Sequence, residues 1–270
     1  MFEKFERGVQ AGCAVGVIQS GKLVHAAGYG FADIERSVRI DADTAFNIAS
    51  TSKQFTAFAL LLLARDGRLA PDDSVRKFVP ELPSYADAVT LRQLMHHTGG
   101  LRSYIELLLL GGRTFTDRTT RDDALRAIVR QRGADDDPGV AFAYSNTGYF
   151  LMSLVIERVT GQSLNDFSQA NIFLPLGMTS TSIVDRYPAD IPRLARGYSV
   201  SAAGGISESA WEQTGDGQVH TTVRDLALWD ANFYDPRVGD RDVIDTMLRS
   251  GVLNDGLAVG YGGGLFLSRR

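Results

Sequence analysis

One cysteine, Cys13, stands in 270 residues, so the chain can form neither an intramolecular disulfide nor a thiolate metal cluster. Long apolar runs are missing too: the longest, Phe55 to Ala64, is too short to span a bilayer and closes on Arg65-Asp66, which reads as a buried helix. A basic excess is absent. The formal net charge is -4, with Lys and Arg scattered among Asp and Glu, and this excludes the charged stripe that nucleic-acid binding needs. There is no His-Glu-x-x-His pair and no cysteine partner for His25, His96 or His97, so no metal site is read. Lack of a Gly-x-Ser-x-Gly elbow argues against the α/β-hydrolase route. Gly28-Tyr29-Gly30 and the late glycine run fit no phosphate loop, and no cofactor is expected. Met1 to Arg7 is charged and lacks the apolar run of a secretory signal, which leaves the compartment open. Lysine disappears altogether after Lys77.

The 44% hydrophobic and 22% charged content suits one large globular domain or two interleaved ones. Phe2 to Gln10 reads as a short amphipathic helix. Ala14 to Gln19 and Lys22 to Tyr29, joined by Ser20-Gly21, read as a hairpin at the edge of an antiparallel sheet. An extended piece, Ala45 to Ile48, runs into an apolar helix from Thr51 to Asp66 that Gly67 stops. Residues 70–177 are mainly helical in pattern, with helices at Val89 to His96, Tyr104 to Leu110, Arg121 to Arg132, Thr147 to Thr160 and Ser163 to Ala170. They form a helical subdomain set into a sheet built from residues 1–69 and 178–270. In that last part Ser180 to Ile183 and Gly197 to Val200 read as strands, Ala202-Ala203-Gly204-Gly205 as a loop, and Thr222 to Phe233 and Val243 to Arg249 as helices. Ala258 to Gly260 and Gly263 to Leu267 read as strands again.

Ser50-Thr51-Ser52-Lys53 places a hydroxyl and an amine three residues apart where strand gives way to helix, so both project from one face of the first turn. A serine hydroxyl needs a neighbouring base to act as a nucleophile, and a helix N-terminus offers N–H groups to an oxyanion. A lysine becomes such a base only when burial or neighbouring charge pulls its pKa down from about 10.4. Ile48, Phe55, Phe58 and Leu60 to Leu63 can supply that burial. The plainer reading makes Ser50 a helix cap and Lys53 a solvated first-turn residue. Tyr144-Ser145-Asn146 sits just before another helix, and residues two apart in extended chain face the same side. Tyr144 could then pass a proton and Asn146 hold an amide or the lysine; the alternatives are a core aromatic and a helix cap.

Taken together, these motifs and their flanks resemble the serine β-lactamase and penicillin-recognising family, in its class C, DD-peptidase and carboxylesterase branch. The resemblance runs through Phe46 to Thr56, through Leu91 to Leu101 with His96-His97-Thr98-Gly99-Gly100-Leu101, through Phe142 to Tyr149, through Pro175-Leu176-Gly177-Met178, and through Gly215 to Leu226. It implies an α+β fold, a single domain with an antiparallel sheet flanked by helices and an inserted helical subdomain. It also implies a serine hydrolase: Ser50 forms an acyl-enzyme, Lys53 takes or holds its proton, Tyr144 assists as acid or base, and Asn146 binds Lys53 or the substrate amide. The Ser50 N–H would be half of the oxyanion hole. The substrate would be a small ester, a peptide or a β-lactam. Members of the family are often periplasmic or secreted.

The departure is the family's third element, Lys-Thr-Gly or a His-x-Gly variant on a late strand. His220-Thr221-Thr222 lacks the glycine and precedes a helix, so it reads as structural. Tyr261-Gly262-Gly263-Gly264-Leu265 resembles the turn that comes shortly before that element, from which we expect a chain that stops short of its last strands. Low activity or stability and unpaired hairpin edges would follow. The missing carboxylate anchor tilts the substrate towards an ester or peptide. The competing readings are a non-catalytic relative with a sensing or assembly role, and a helical binding module.

Overall fold

Two strand-forming runs joined by Ser20-Gly21 fold back on each other: β1 (Cys13–Gln19) pairs antiparallel with β2 (Lys22–Tyr29). Ser20 and Gly21 both adopt left-handed backbone, with φ of 51° and 72°, as a two-residue turn must to match the twist of its strands. The computed structural model describes residues 2–5, 8–199 and 205–268. Within them β3 (Phe31–Asp33) pairs with β4 (Val38–Arg39), and β5 (Phe46–Asn47), β6 (Ser182–Ile183) and β7 (Val219–Thr221) form a third ladder in the order β5-β7-β6.

The mix of helices with antiparallel strands is the one expected from the sequence. Among the described residues the strands divide into three ladders, while a bridge between Ala11 and Phe31 continues past Gly30. The hairpin accordingly has no third strand among the described residues, and Val17, Ile18 and Val24 stay exposed. Three expectations need correction. At the N-terminus the described helical piece is a single 3-10 turn, Phe2–Phe5. The strands expected at Ala258 to Gly260 and Gly263 to Leu267 reduce to single bridges, Val252 to Ala258 and Tyr261 to Phe266. Gly197 to Val200 reduces to one bridge, Tyr198 to Ile206; Val200 and Ala202-Ala203-Gly204 lie outside the described residues.

The helices are α1 (Lys53–Arg65), α2 (Leu91–Met95), α3 (Tyr104–Leu110), α4 (Arg121–Val129), α5 (Asn146–Thr160), α6 (Leu164–Ser168), α7 (Leu174–Leu176), α8 (Val223–Tyr234) and α9 (Arg241–Met247). Their ends follow local chemistry. Thr90 and Thr120 close capping boxes with Gln93 and Asp123, each satisfying N–H groups that the first turn leaves free. Gly161 ends α5 in left-handed backbone, where any other residue is strained.

α1 carries the core. It is buried from Lys53 to Leu63 and packs against α5, α6 and α9, while α8 lies on the hairpin. Phe55 and Phe58 meet the Trp229 ring at centroid distances of 4.7 and 5.0 Å. Burying each such ring is worth about 1.5–3 kcal/mol. The Tyr261-Gly262-Gly263-Gly264 segment folds over the start of α1. A Cβ on Gly264 would stand 2.4 Å from the Gln54 amide nitrogen, at φ 83°. Gly264→Ala is therefore expected to cost about 2 kcal/mol or more. Gly256→Ala, with similar φ but open space around it, should cost about 1 kcal/mol, and urea midpoints of the two variants check the difference.

Candidate active site

The short third ladder positions the start of α1. From β5 the Ile48 N–H bonds to the Val219 carbonyl of β7 at 3.0 Å, and the Val219 N–H returns to Ser52 Oγ at 3.1 Å. Between these anchors Ala49 is forced into left-handed backbone, φ 46°, a conformation that costs an L-residue about 1–2 kcal/mol. Asn47 holds it there: its Oδ1 accepts from the Ala49 N–H at 2.8 Å, and its Nδ2 donates to Gln218 Oε1 at 3.1 Å. The strained residue turns the chain into the 3-10 turn Ala49–Ser52 and leaves Ser50 exposed while Lys53 is fully buried. The helix expected from Thr51 thus begins at Lys53, and Ser50 is not its cap.

Lys53 Nζ lies 3.1 Å from Ser50 Oγ, 2.7 Å from Asn146 Oδ1 and 2.8 Å from the Asp216 carbonyl oxygen. Asn146 is the first residue of α5, which brings the second motif to the first across 93 positions of sequence. Tyr144 presents the face of its ring to the amine, 4.9 Å from Nζ to centroid, a cation–π distance. All four residues singled out from the sequence therefore meet around one amine. Ser50, Asn146, Tyr104, Trp211, Asp216 and Gln218 line a cavity of about 270 Å³. Through Asn47, Ser209, Trp211 and Gln218 it shares walls with a cleft of about 490 Å³ that reaches Arg186 and Tyr187.

Sequence reading missed three members. His97 was set aside as structural, yet its Nδ1 accepts the Ser145 N–H at 3.1 Å and its ring lies 4.3 Å from that of Tyr144. It orients the loop carrying Tyr144. Burial, helped by the Lys53 charge, pulls its pKa down to about 3, so it is neutral and acts by position. Tyr104, at the start of α3, donates from its hydroxyl to Asp216 Oδ2 at 2.8 Å. Asp216 itself stood only as part of a glycine-rich segment. The capping Thr-x-x-Asp pattern was legible, but contacts made across 112 residues leave no local periodicity. His220 sits in β7 and lines the larger cleft, Thr221 Oγ1 bonds Thr181 Oγ1 at 2.7 Å, and Thr222 caps α8. Among the described residues no group of three or more His, Cys, Asp or Glu side chains is placed to hold a metal ion.

Asp216 is buried, and its Oδ1 has no hydrogen-bond partner among the described residues. Desolvation pushes its carboxyl up to about 6, against the opposing pull of Lys53 and the Tyr104 hydroxyl. A folded-state value above the ordinary carboxylate range means that the charge subtracts from stability above about pH 6, and that the loss is recovered as the pH falls towards 4. Two pH units correspond to about 3 kcal/mol. Wild type should therefore gain about 2–3 kcal/mol relative to Asp216→Asn between pH 8 and pH 4.5, read from urea midpoints.

A family model described as Beta-lactamase matches residues 2–270. The chain is 28% identical over 281 residues to a penicillin-binding protein of Bacillus subtilis (strain 168), covering 99% of this chain and 62% of that protein. It is 32% identical over 224 residues to the D-aminopeptidase of Cereibacter sphaeroides (strain ATCC 17023), covering 82% of this chain and 42% of the relative. The chain thus spans about half the length of these curated relatives. Among solved structures, the D-amino acid amidase from Ochrobactrum anthropi SV3 complexed with L-phenylalanine amide superimposes with a TM-score of 0.81 at 27% identity, covering 99% of this chain and 78% of that one. With a matching family model over essentially its whole length and its two motifs joined at Lys53, the chain belongs to the beta-lactamase family.

Proposed function

We propose that the chain is a serine hydrolase that opens an amide or ester bond through an acyl-enzyme on Ser50. The observation that carries this reading is the fully buried Lys53 amine 3.1 Å from an exposed Ser50 hydroxyl at the wall of a cavity. In the first half-reaction Ser50 Oγ attacks the carbonyl carbon while its proton passes to the Lys53 amine. The bond to the leaving nitrogen or oxygen then breaks, and the leaving group takes up a proton. Tyr144, whose ring covers the amine, assists this transfer as acid or base; Asn146 holds Lys53 and presents its amide to the substrate. The Ser50 N–H supplies an oxyanion donor. Water then attacks the acyl carbon and releases Ser50.

The substrate class we favour is a small amide of an amino acid, ahead of a β-lactam. Two of the relatives named above are a D-aminopeptidase and a D-amino acid amidase. The cavity beside Ser50 has aromatic and aliphatic walls at Trp211, Phe115 and Ile105, suited to one apolar side chain. D-phenylalanine amide, its L-enantiomer, a short p-nitrophenyl ester and a penicillin, assayed side by side, test the ranking. We expect the ester and the D-amide to turn over and the penicillin to react slowest. Rapid penicillin hydrolysis with inert amides would reverse the assignment.

A further inference from the structure

The cavity beside Ser50 opens onto more space than one side chain fills. Asn47, Ser209, Trp211 and Gln218 line both it and the cleft of about 490 Å³, whose lining continues to Arg186 and Tyr187 on the loop after β6. We propose that this cleft is a subsite for the acyl half of the substrate and that Arg186 binds a carboxylate there. The preferred substrate is then an amide or ester of an apolar amino acid whose amino group carries an acid-terminated acyl group or an acidic residue. Which half of the substrate the cleft receives rests on the reading of Ser50 as nucleophile.

The first support is continuity. Trp211 walls both spaces, and two carboxamides stand where they join. Asn47 spends one amide hydrogen on Gln218 Oε1, and Gln218 spends one on the Trp211 carbonyl. Each keeps a second hydrogen for a substrate carbonyl. The second support is charge. Among the residues lining the cleft, Asp33 Oδ2 lies 3.7 Å from Arg36 Nη1, and Glu208 Oε1 accepts from Arg196 Nε at 3.1 Å. The third guanidinium of the lining, that of Arg186, has no hydrogen bond or ion pair among the described residues. Asp185, its neighbour in sequence, lines a separate cavity with Thr120 and Ser153. Burial lowers the pKa of His220, which is neutral at pH 7. The lining thus carries one uncompensated positive charge, which suits a monoanion better than a dianion such as a phosphate monoester. A guanidinium matches a carboxylate in shape as well, through two parallel hydrogen bonds. The third support is the wall around it: Tyr187, Pro188 and Leu194 give an acyl chain apolar surface to cover on its way to the charge.

Arg186 is exposed, so its pairing with a substrate carboxylate is screened by water and salt. A gain of about fivefold in kcat/KM is the scale of such a contact. Because the carboxylate is remote from the reacting bond, it is held equally in the ground state and the transition state, and the gain falls on KM.

The test has two arms. D-Phenylalanine p-nitroanilides capped on nitrogen with succinyl or glutaryl are compared with the same caps ending in a carboxamide, on wild type, Arg186→Gln and Arg186→Glu at low salt. We expect at least one acid cap to exceed its carboxamide about fivefold in kcat/KM, through KM. That ratio should fall to about one in Arg186→Gln and below one in Arg186→Glu. A ratio of one for both caps in wild type, or a preference that survives Arg186→Gln, overturns the proposal. Arg186 makes no bond within the described fold, so both variants are expected to stay folded, as their urea midpoints will check. The second arm does without turnover: calorimetry of Ser50→Ala, with and without Arg186→Gln, reads the same ratio as Kd for the capped D-phenylalanine amides. No hydrolysis by wild type together with an Arg186-dependent Kd ratio would overturn the acyl-enzyme reading and keep the anion site. Hydrolysis with a ratio of one for both caps would overturn the anion site and keep Ser50, so the two failures are distinct.

Discussion

Ser50→Ala is expected to lower turnover of ester and amide substrates by at least about a thousandfold while the protein stays folded. Losing the proposed nucleophile removes the proposed covalent route; what remains is whatever the cavity and the N–H donors do for attack by water. Stability should change little, by about 0.5 kcal/mol or less, because Ser50 is exposed and surface truncations away from packed features cost little. Lys53 keeps Asn146 and the Asp216 carbonyl as partners, so the fold of the turn does not depend on the hydroxyl. Activity and urea midpoint measured on the same preparation check both halves of the expectation. A variant that retains a tenth of wild-type turnover would move the nucleophile elsewhere.

Lys53→Met should have the opposite signature, with activity and stability falling together. Methionine fits the volume but leaves Asn146 Oδ1 and the Asp216 carbonyl without their donor. It also leaves the Asp216 carboxylate buried without the Lys53 charge that opposes its desolvation. Leaving buried acceptors without their donor costs about 1–3 kcal/mol each. The part of the penalty that comes from the Asp216 charge should shrink towards pH 5, where its carboxyl takes up a proton. Turnover should drop by at least about a thousandfold, since the serine is left without its neighbouring base. Paired urea curves at pH 8 and pH 5 separate the electrostatic loss from simple misfit, which would be independent of pH.

The contrast between these variants follows from which parts of the molecule were legible as sequence. The hairpin at Ser20-Gly21, the apolar helix that became α1 and the capping boxes at Thr90 and Thr120 are written in local periodicity and in turn and cap chemistry. Ser50, Lys53, Tyr144 and Asn146 were legible because two short motifs fell in one order within a wider resemblance. What escaped notice is long-range or strained. The left-handed backbone at Ala49 is imposed by β7 and Asn47, and no alanine announces such a conformation. Asp216 owes its part to Tyr104 and Lys53, which reach it across 112 and 163 positions. His97 was weighed as a metal ligand and set aside, when its task is to accept one backbone N–H and stack on Tyr144.

The chain belongs to the beta-lactamase family, and the proposed acyl-enzyme rests on the Lys53 amine 3.1 Å from Ser50 Oγ. The most direct measurement is the intact mass of the wild-type chain after incubation with an excess of a fluorescent penicillin or a slow p-nitrophenyl ester, followed by peptide mapping. A single added acyl group on the peptide containing Ser50, absent from Ser50→Ala, is the predicted result. An unchanged mass in a protein shown to be folded, or an acyl group mapped to another residue, would contradict it.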